Sequence, residues 1–373
     1  MSIPPSHPGA DAFPRRVPRS AVRSELRSLI EAPGPYVSLY LDLAASSPAD
    51  RTEHVLTVLD SLPEVSALQR RAVQAVLECD LGGPDDDVSL LAALVAADGT
   101  TVRAAWPDPP KAEIIEITAL PRLAPYLEAD QMLAHHLVAI IDEGRLDLLA
   151  IPRQGEPGSE VLARHDPDEV AAIISQVAND TDTSMVIITG HSPSKEAIAD
   201  RVRASIPIEV DLLCVPDDPD DDPSHHDDNL GDELVHQVAD RSARRIVETM
   251  RLFRYHQAHS MTVDGIVDTI TAVRAGLVSI LMMHDDPADE RQAWFGPAFN
   301  RIAVDFEDAA PIPSDEPLKA GRLIDVLLRS AIGQDIPCLI IPNVPDERLA
   351  DGIGAILASD AAEKESMRNL IDR

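Results

Sequence analysis

Residues 137–151 read LVAIIDEGRLDLLAI, residues 160–180 read EVLARHDPDEVAAIISQVAND, and residues 184–210 read SMVIITGHSPSKEAIADRVRASIPIEV. Leu137 to Ile141 is a short apolar run stopped by Asp142-Glu143-Gly144, a turn cluster. Arg145 to Ile151 returns as a second strand. Pro152 to Gly158 and Ala163 to His165 belong to a short polar loop. Asp166 offers a helix N-cap, with Pro167 at the first helical position and Glu169 three residues beyond the cap. Val170, Ile173, Ile174 and Val177 then fall on one face of a helix. Met185 to Thr189 is apolar throughout, as a strand covered on both faces should be. The turn Gly190 to Ser194 leads into a further helix, with Ser192 as its N-cap and Pro193 at its first position. The stretch therefore predicts an α/β unit: strand, strand, loop, helix, strand, helix, strand.

This order resembles the middle domain of the archaeal and eukaryotic class I release factors and of Pelota, as found in the bacterial branch of that family. Release-competent members carry a Gly-Gly-Gln tripeptide in the loop before the helix that begins here at Asp166. In this sequence that loop is short, and no Gly-Gly-Gln occurs in it or anywhere else; Gly82-Gly83-Pro84 is the nearest string. The resemblance implies a three-domain release-factor-like architecture, with a ribonuclease H-like middle domain. The C-terminal domain would be like the kink-turn-binding ribosomal proteins.

A chain of 373 residues has room for two or three domains, each with its own core. Acidic residues number 64 against 32 basic ones, a net charge of −32. That argues against a broad phosphate-binding surface, which needs Lys and Arg, and favours solubility and protein partners. Cys79, Cys214 and Cys338 stand singly, without metal-ligand spacing, which fits a reduced cytoplasm. The opening MSIPPSHPGADAFPRR has no apolar core of a signal peptide, and no apolar run approaches the ~18 residues of a membrane span.

Residues 1–18 are rich in Pro and small residues and read as a disordered tail. Arg15, Arg16, Arg19, Arg23 and Arg27 make a local basic run that continues into a first helix marked by Val22, Leu26, Leu29 and Ile30. Tyr36 to Leu43 alternates as a half-buried strand; two helices broken at Pro63 follow, then a hairpin around Asp98-Gly99 and a strand at Ile114 to Ile117. These make an N-terminal α/β domain over 19–130, followed by the middle domain over 131–216. Residues 217–228, DDPDDDPSHHDD, lack fixed ligand spacing and read as a solvated acidic linker rather than a metal site. The C-terminal domain, 229–373, opens on a long helix to about 258. Leu234, Val238, Ile246, Val247, Met250 and Phe253 form its apolar side, and Arg241, Arg244, Arg245, Arg251 and Arg254 make it the most basic element of the chain. A helix at Val263 to Arg274, a strand at Leu277 to Met283, a strand at Ile302 to Phe306 and a helix at Leu318 to Ser330 come next. The strand Cys338 to Ile341 and the run Asp351 to Leu357 close the domain. In the same release-factor family a helix ending in Ala-Gly, as at Ala275-Gly276, leads into the strand.

Gly190 to Lys195 lacks the spacing of a phosphate-binding loop, and no nucleophile elbow or His-Glu-x-x-His motif occurs. Nothing calls for a cofactor or a metal. By the resemblance, the tRNA-like shape persists while peptidyl-tRNA hydrolysis is lost. What remains useful is occupancy of the ribosomal A site. Members of the bacterial branch without the tripeptide include the Balon-like hibernation factors, which sit there with elongation factor Tu; this sequence looks like an actinobacterial relative. The expected partners are therefore the 70S ribosome, through ribosomal RNA, and elongation factor Tu, with no membrane and no DNA. Arg15, Arg16, Arg19, Arg23, Arg164, His165, Arg241, Arg244 and Arg245 are the candidate contacts with ribosomal RNA. A Pelota-like rescue factor is one alternative, and an acidic stress protein with a protein or small-ligand partner is another.

Overall fold

The computed structural model describes residues 19–62, 64–78, 89–106, 110–131, 136–142, 145–151, 158–163, 166–181, 183, 185–190, 192–206, 210–215, 226–306, 317–341 and 349–358. Among these described residues the α/β fold forms four sheets.

The first sheet begins after helix α1 (Arg19–Glu31), whose Leu26, Leu29 and Ile30 are buried. Strand β1 (Tyr36–Asp42) is its centre, flanked by β2 (Leu90–Val95), β3 (Thr101–Trp106) and β4 (Ile114–Thr118), in the order β3-β2-β1-β4 and antiparallel throughout. The β2–β3 hairpin turns at Gly99, whose φ of 90° is the left-handed geometry such a turn demands. Helices α2 (Pro48–Ser61) and α3 (Ala67–Glu78) cover one face through Val55, Leu59, Val73 and Val76. Helix α4 (Leu123–Gln131) ends the unit.

The second sheet holds β5 (His136–Asp142), β6 (Arg145–Ile151), β7 (Gly158–Ala163), β8 (Met185–Thr189) and β9 (Asp211–Cys214) in the order β7-β6-β5-β8-β9. The first three are antiparallel; β5, β8 and β9 are parallel, an order and polarity of the ribonuclease H-like type. The crossovers are helices α5 (Pro167–Asp180) and α6 (Lys195–Ser205). Asp166 caps α5 as its sequence predicts, its carboxylate accepting the Asp168 N–H at 3.0 Å. Gly190 follows β8 with φ of 101°, and a Cβ there would run into the Ile141 backbone, so only glycine fits.

Two readings in this unit need correction. The segment taken as loop up to Ala163 contains β7, which pairs with the open edge of β6; Leu162 packs inward while Val161 is exposed. Six residues carry too little alternation to announce themselves without that partner edge. Ser192 is not the cap of α6: the helix starts at Lys195, and the Ser192 hydroxyl instead accepts the Ser194 N–H inside a preceding turn.

Helix α7 (His226–Gln257) links the second sheet to the third, so the acidic linker gives way to helix at His226, within the stretch read as 217–228. Val238 packs under Val138, Met185 and Ile187 of the second sheet, and Arg241 pairs with Asp211 of β9 at 3.0 Å. One turn further on, Ile246, Met250 and Phe253 cover the third sheet at Ile280, Met282, Leu339 and Ile356. Val247, placed on the apolar side by the sequence reading, is 39% exposed, since the buried stripe at 246, 250 and 253 turns it outward.

The third sheet comprises β10 (Thr262–Asp264), β11 (Val278–His284), β15 (Cys338–Ile341) and β16 (Ile353–Leu357), ordered β10-β16-β11-β15. Helices α8 (Ile266–Arg274) and α9 (Leu323–Gly333) cover the face opposite α7. A small sheet, β13-β12-β14, joins β12 (Gln292–Phe295), β13 (Ile302–Ala303) and β14 (Lys319–Arg322). Here the expected boundaries shift. Val263 belongs to a strand, because Gly265 with φ of 97° separates it from the helix. Residues 319–322 pair with β12 before α9 begins, Gly321 being a poor helix former. The strand expected at Ile302 to Phe306 is only two residues long, and β12 was not anticipated.

The first and third units share a single core. Leu26, Tyr40, Trp106, Leu123 and Tyr126 belong to the same buried cluster as Val273, Leu281, Phe295, Leu327 and Ile353. Two polar contacts fix the seam. The Gln131 side chain accepts the Ile340 N–H at 2.9 Å and donates to the Ile340 carbonyl, so one amide closes the outer edge of β15 as a neighbouring strand would. The Asp325 carboxylate on α9 accepts the Leu123 N–H at 3.0 Å, at the start of α4. Gln131→Leu keeps the volume but strands two buried backbone groups. It is expected to cost about 2–4 kcal/mol in chemical denaturation; an unchanged midpoint would show that the edge needs no lock.

Candidate nucleic-acid interface

Between Arg241 and His259 the sequence holds five arginines and a single acidic residue, Glu248, in a chain of net charge −32. The α7 geometry sorts these arginines. Arg241 is spent on Asp211, and Arg245 is half-buried. Arg244 and Arg251 are exposed on the side away from Ile246, Met250 and Phe253, and Arg254, four residues after Met250, is exposed at the flank. Arg244, Glu248, Arg251 and Tyr255 recur at spacings of four, three and four, which makes one surface stripe. Arg254 and His256 also lie in the last turn, where the exposed carbonyls of the helix favour positive charge.

The stripe ends in a built turn. Met261 N–H donates to the His256 carbonyl at 3.0 Å and Ser260 N–H to the Gln257 carbonyl at 3.1 Å, the bonding of a Schellman cap. Ser260 occupies its left-handed position with φ of 58°, where glycine is usual. His259 Nδ1–H donates to the Tyr255 carbonyl at 2.7 Å, and its ring lies against the Tyr255 ring at 4.5 Å.

The other predicted contacts distribute differently. Arg19 and Arg23 lie within α1. Arg15, Arg16, Arg164 and His165 fall outside the described residues. Arg27, the last of the basic run, is structural: it pairs with Glu31 at 3.2 Å and with Asp335, just beyond α9, at 3.1 Å. The sequence reading passed over Tyr255, although its place on the Arg244–Arg251 stripe was available from spacing alone.

A second feature is a cavity of about 390 Å³ at the seam of the first and third units, lined by Thr118, Leu120, Arg122, Asp289, Arg322 and Asp325. Its charges are matched internally. Arg322 holds Asp285 at 3.0 Å and faces Asp325 at 4.0 Å, while Arg122 pairs with Glu116 and Asp289 with Arg291. Burial pushes the Asp325 carboxyl up to about 7, against the pull of Arg322, the Leu123 N–H and Arg122; Asp285 adds to the rise. Among the described residues, no group of three or more His, Cys, Asp or Glu is placed to hold a metal, and no helix is long and apolar enough to cross a membrane.

No family model and no curated protein matches the chain. Solved structures align along much of its length. Pelota of Archaeoglobus fulgidus does so at 13% identity over 93% of this chain and 94% of that one, with a TM-score of 0.34. Dom34 of S. cerevisiae, a translation termination-like factor involved in RNA quality control, aligns at 11% identity over 73% and 80%, with a TM-score of 0.38. An archaeal Pelota in a ribosome-bound complex aligns at 12% identity over 90% and 93%, again at 0.38.

The Asp325 carboxyl carries a pH signature. Its pKa in the fold lies above the ordinary 3.8, so the fold favours the protonated form. That contribution is complete below about pH 4 and is lost as pH rises through about 7. Asp325→Asn keeps an oxygen for the Leu123 N–H and cannot ionise. From pH 5 to pH 8 its stability should rise relative to the native chain, followed by urea denaturation at each pH. A difference independent of pH would remove Asp325 from the account.

Proposed function

We propose that this chain is a ribosome-binding factor of release-factor type that fills the A site without hydrolysing peptidyl-tRNA, in the manner of a hibernation factor. The carrying observation is the sequence around Asp166. It has the family's order of elements, and the strand order β7-β6-β5-β8-β9 agrees with that order, yet no Gly-Gly-Gln exists anywhere in the chain. A chain that keeps the scaffold and lacks the hydrolytic tripeptide is suited to occupancy rather than catalysis. Its partners on this reading are the 70S ribosome, through ribosomal RNA, and elongation factor Tu, in the cytoplasm. The exposed arginines of α7 supply a phosphate-facing surface, and Arg164 and His165 sit in the segment where the tripeptide would be presented.

The charge of −32 favours a second reading, an acidic stress protein that acts on a protein partner away from the ribosome. Co-sedimentation with 70S ribosomes from starved cells separates the two.

Three outcomes are expected. Added to ribosomes with peptidyl-tRNA in the P site, the purified protein releases no peptide above background; stop-codon-dependent release would end the non-catalytic reading. Arg244→Glu, Arg251→Glu and Arg254→Glu together weaken co-sedimentation at least tenfold with an unchanged circular-dichroism spectrum, and full retention would assign these arginines to a solvated face. The affinity also falls gently with salt, with a slope worth three to five phosphate contacts at roughly 0.7–0.9 per phosphate. A slope of eight or more would mean a basic surface this chain does not possess.

A further inference from the structure

We propose that Tyr255 and His259, with Arg251 one turn before Tyr255, form a stacking platform for an unpaired base of RNA. The inference rests on the ribosome-binding reading for its choice of RNA, and it adds a specific mode of contact. The first observation is exposure. Tyr36, Tyr40 and Tyr126 are buried, whereas Tyr255, the remaining tyrosine of the chain, is 62% exposed at the end of the most basic element. Single exposed apolar side chains are common, so exposure makes this ring available, and its surroundings decide what it can bind.

The second observation is that the ring pair is held before any ligand arrives. Tyr255 packs edge-on to His256 at 5.5 Å and 85°, and His256 is itself buried. The His259 imidazole lies at 4.5 Å and 40° to the same ring, held by its bond to the Tyr255 carbonyl. That bond fixes Nδ1 as the donor and leaves Nε2 for an external partner. The left-handed turn at Ser260 ends the helix directly after the imidazole, so the chain departs at that point. A platform already ordered in the free protein spares a ligand the entropy of ordering it.

The third is charge. Arg251 lies one turn before Tyr255 on the same stripe, and Glu248 is the single carboxylate among residues 241–259. A guanidinium beside an exposed aromatic ring suits a nucleotide: phosphate meets the cation and the base meets the ring. Every base offers a π-face, so the platform is tolerant of sequence and needs a base free of a duplex.

The test uses the full chain with fluorescein-labelled single-stranded RNA dodecamers, a blunt RNA duplex of the same length, and 70S ribosomes. Tyr255→Leu keeps bulk and removes stacking; it should weaken dodecamer binding about tenfold and leave the salt slope unchanged. Tyr255→Phe, which keeps the ring, should stay within about threefold of the native chain. Arg251→Ala should lower the salt slope by about 0.7, as one lost phosphate contact does on a single strand. The duplex should bind more weakly than the dodecamer. Equal binding by Tyr255→Leu and the native chain overturns the platform. If the native chain pellets with ribosomes regardless of Tyr255, the platform falls and the ribosome reading stands. If it binds dodecamers through Tyr255 and does not pellet, the platform stands and the ribosome reading falls. Binding to neither overturns both.

Discussion

Ile340 sits on the outer strand of the third sheet, and its backbone N–H and C=O both end on the Gln131 side chain. An open strand edge inside a protein is costly, because each unpaired buried group forfeits its hydration. One amide resolves that here, and in doing so it ties the end of the first unit to the last. Around this lock the two units do not merely touch: they bury one continuous cluster from Leu26 to Ala355. The second sheet is excluded from that cluster and has cores of its own on both faces. The chain therefore closes its first and third units on each other and carries the second on α7, through Val238 and the Arg241–Asp211 pair.

Much of the middle unit was legible because local signals and tertiary structure agree there. Asp166-Pro167 states a helix start in two residues, and the apolar run Met185 to Thr189 has no stable home except a covered sheet. The last unit was less legible for a physical reason. Its short strands β10, β12 and β14 have three or four residues each, too few for alternation to show, and they exist because β16 and each other offer partners. The same holds for β7. Gly265 marks a true boundary that a helix reading runs through, and Gly321 lies inside β14, just short of another.

The candidate site was legible as composition and illegible as geometry. Counting arginines singles out α7, but only packing tells which are spent. Arg241 and Arg27 are as basic in sequence as Arg244, yet each is engaged in an ion pair that fastens one element to another. Long-range pairing of this kind leaves no local trace. Asp325 was missed for the converse reason: on paper it is one more carboxylate among 64 acidic residues, and only its complete burial at the seam gives it a distinct titration.

On the proposed ribosome-binding reading, a chain at −32 must still approach RNA. Screening sets the scale: at physiological salt, charges farther apart than roughly 8–10 Å are largely hidden from one another. What matters to a phosphate is then the charge within that radius of its contact, and net charge matters only for the approach. Along the exposed stripe of α7 the local balance is positive, with Arg244 and Arg251 against Glu248 and the exposed Arg254 beside it. A helix face of this kind can dock while the rest of the surface repels, provided the contact is narrow. Narrow contact gives few phosphates, and few phosphates give little affinity from charge alone. The deficit has to be met by shape, by a protein partner, or by a group that binds bases without charge. Tyr255, held and exposed at the end of that stripe, is the residue we propose for that part.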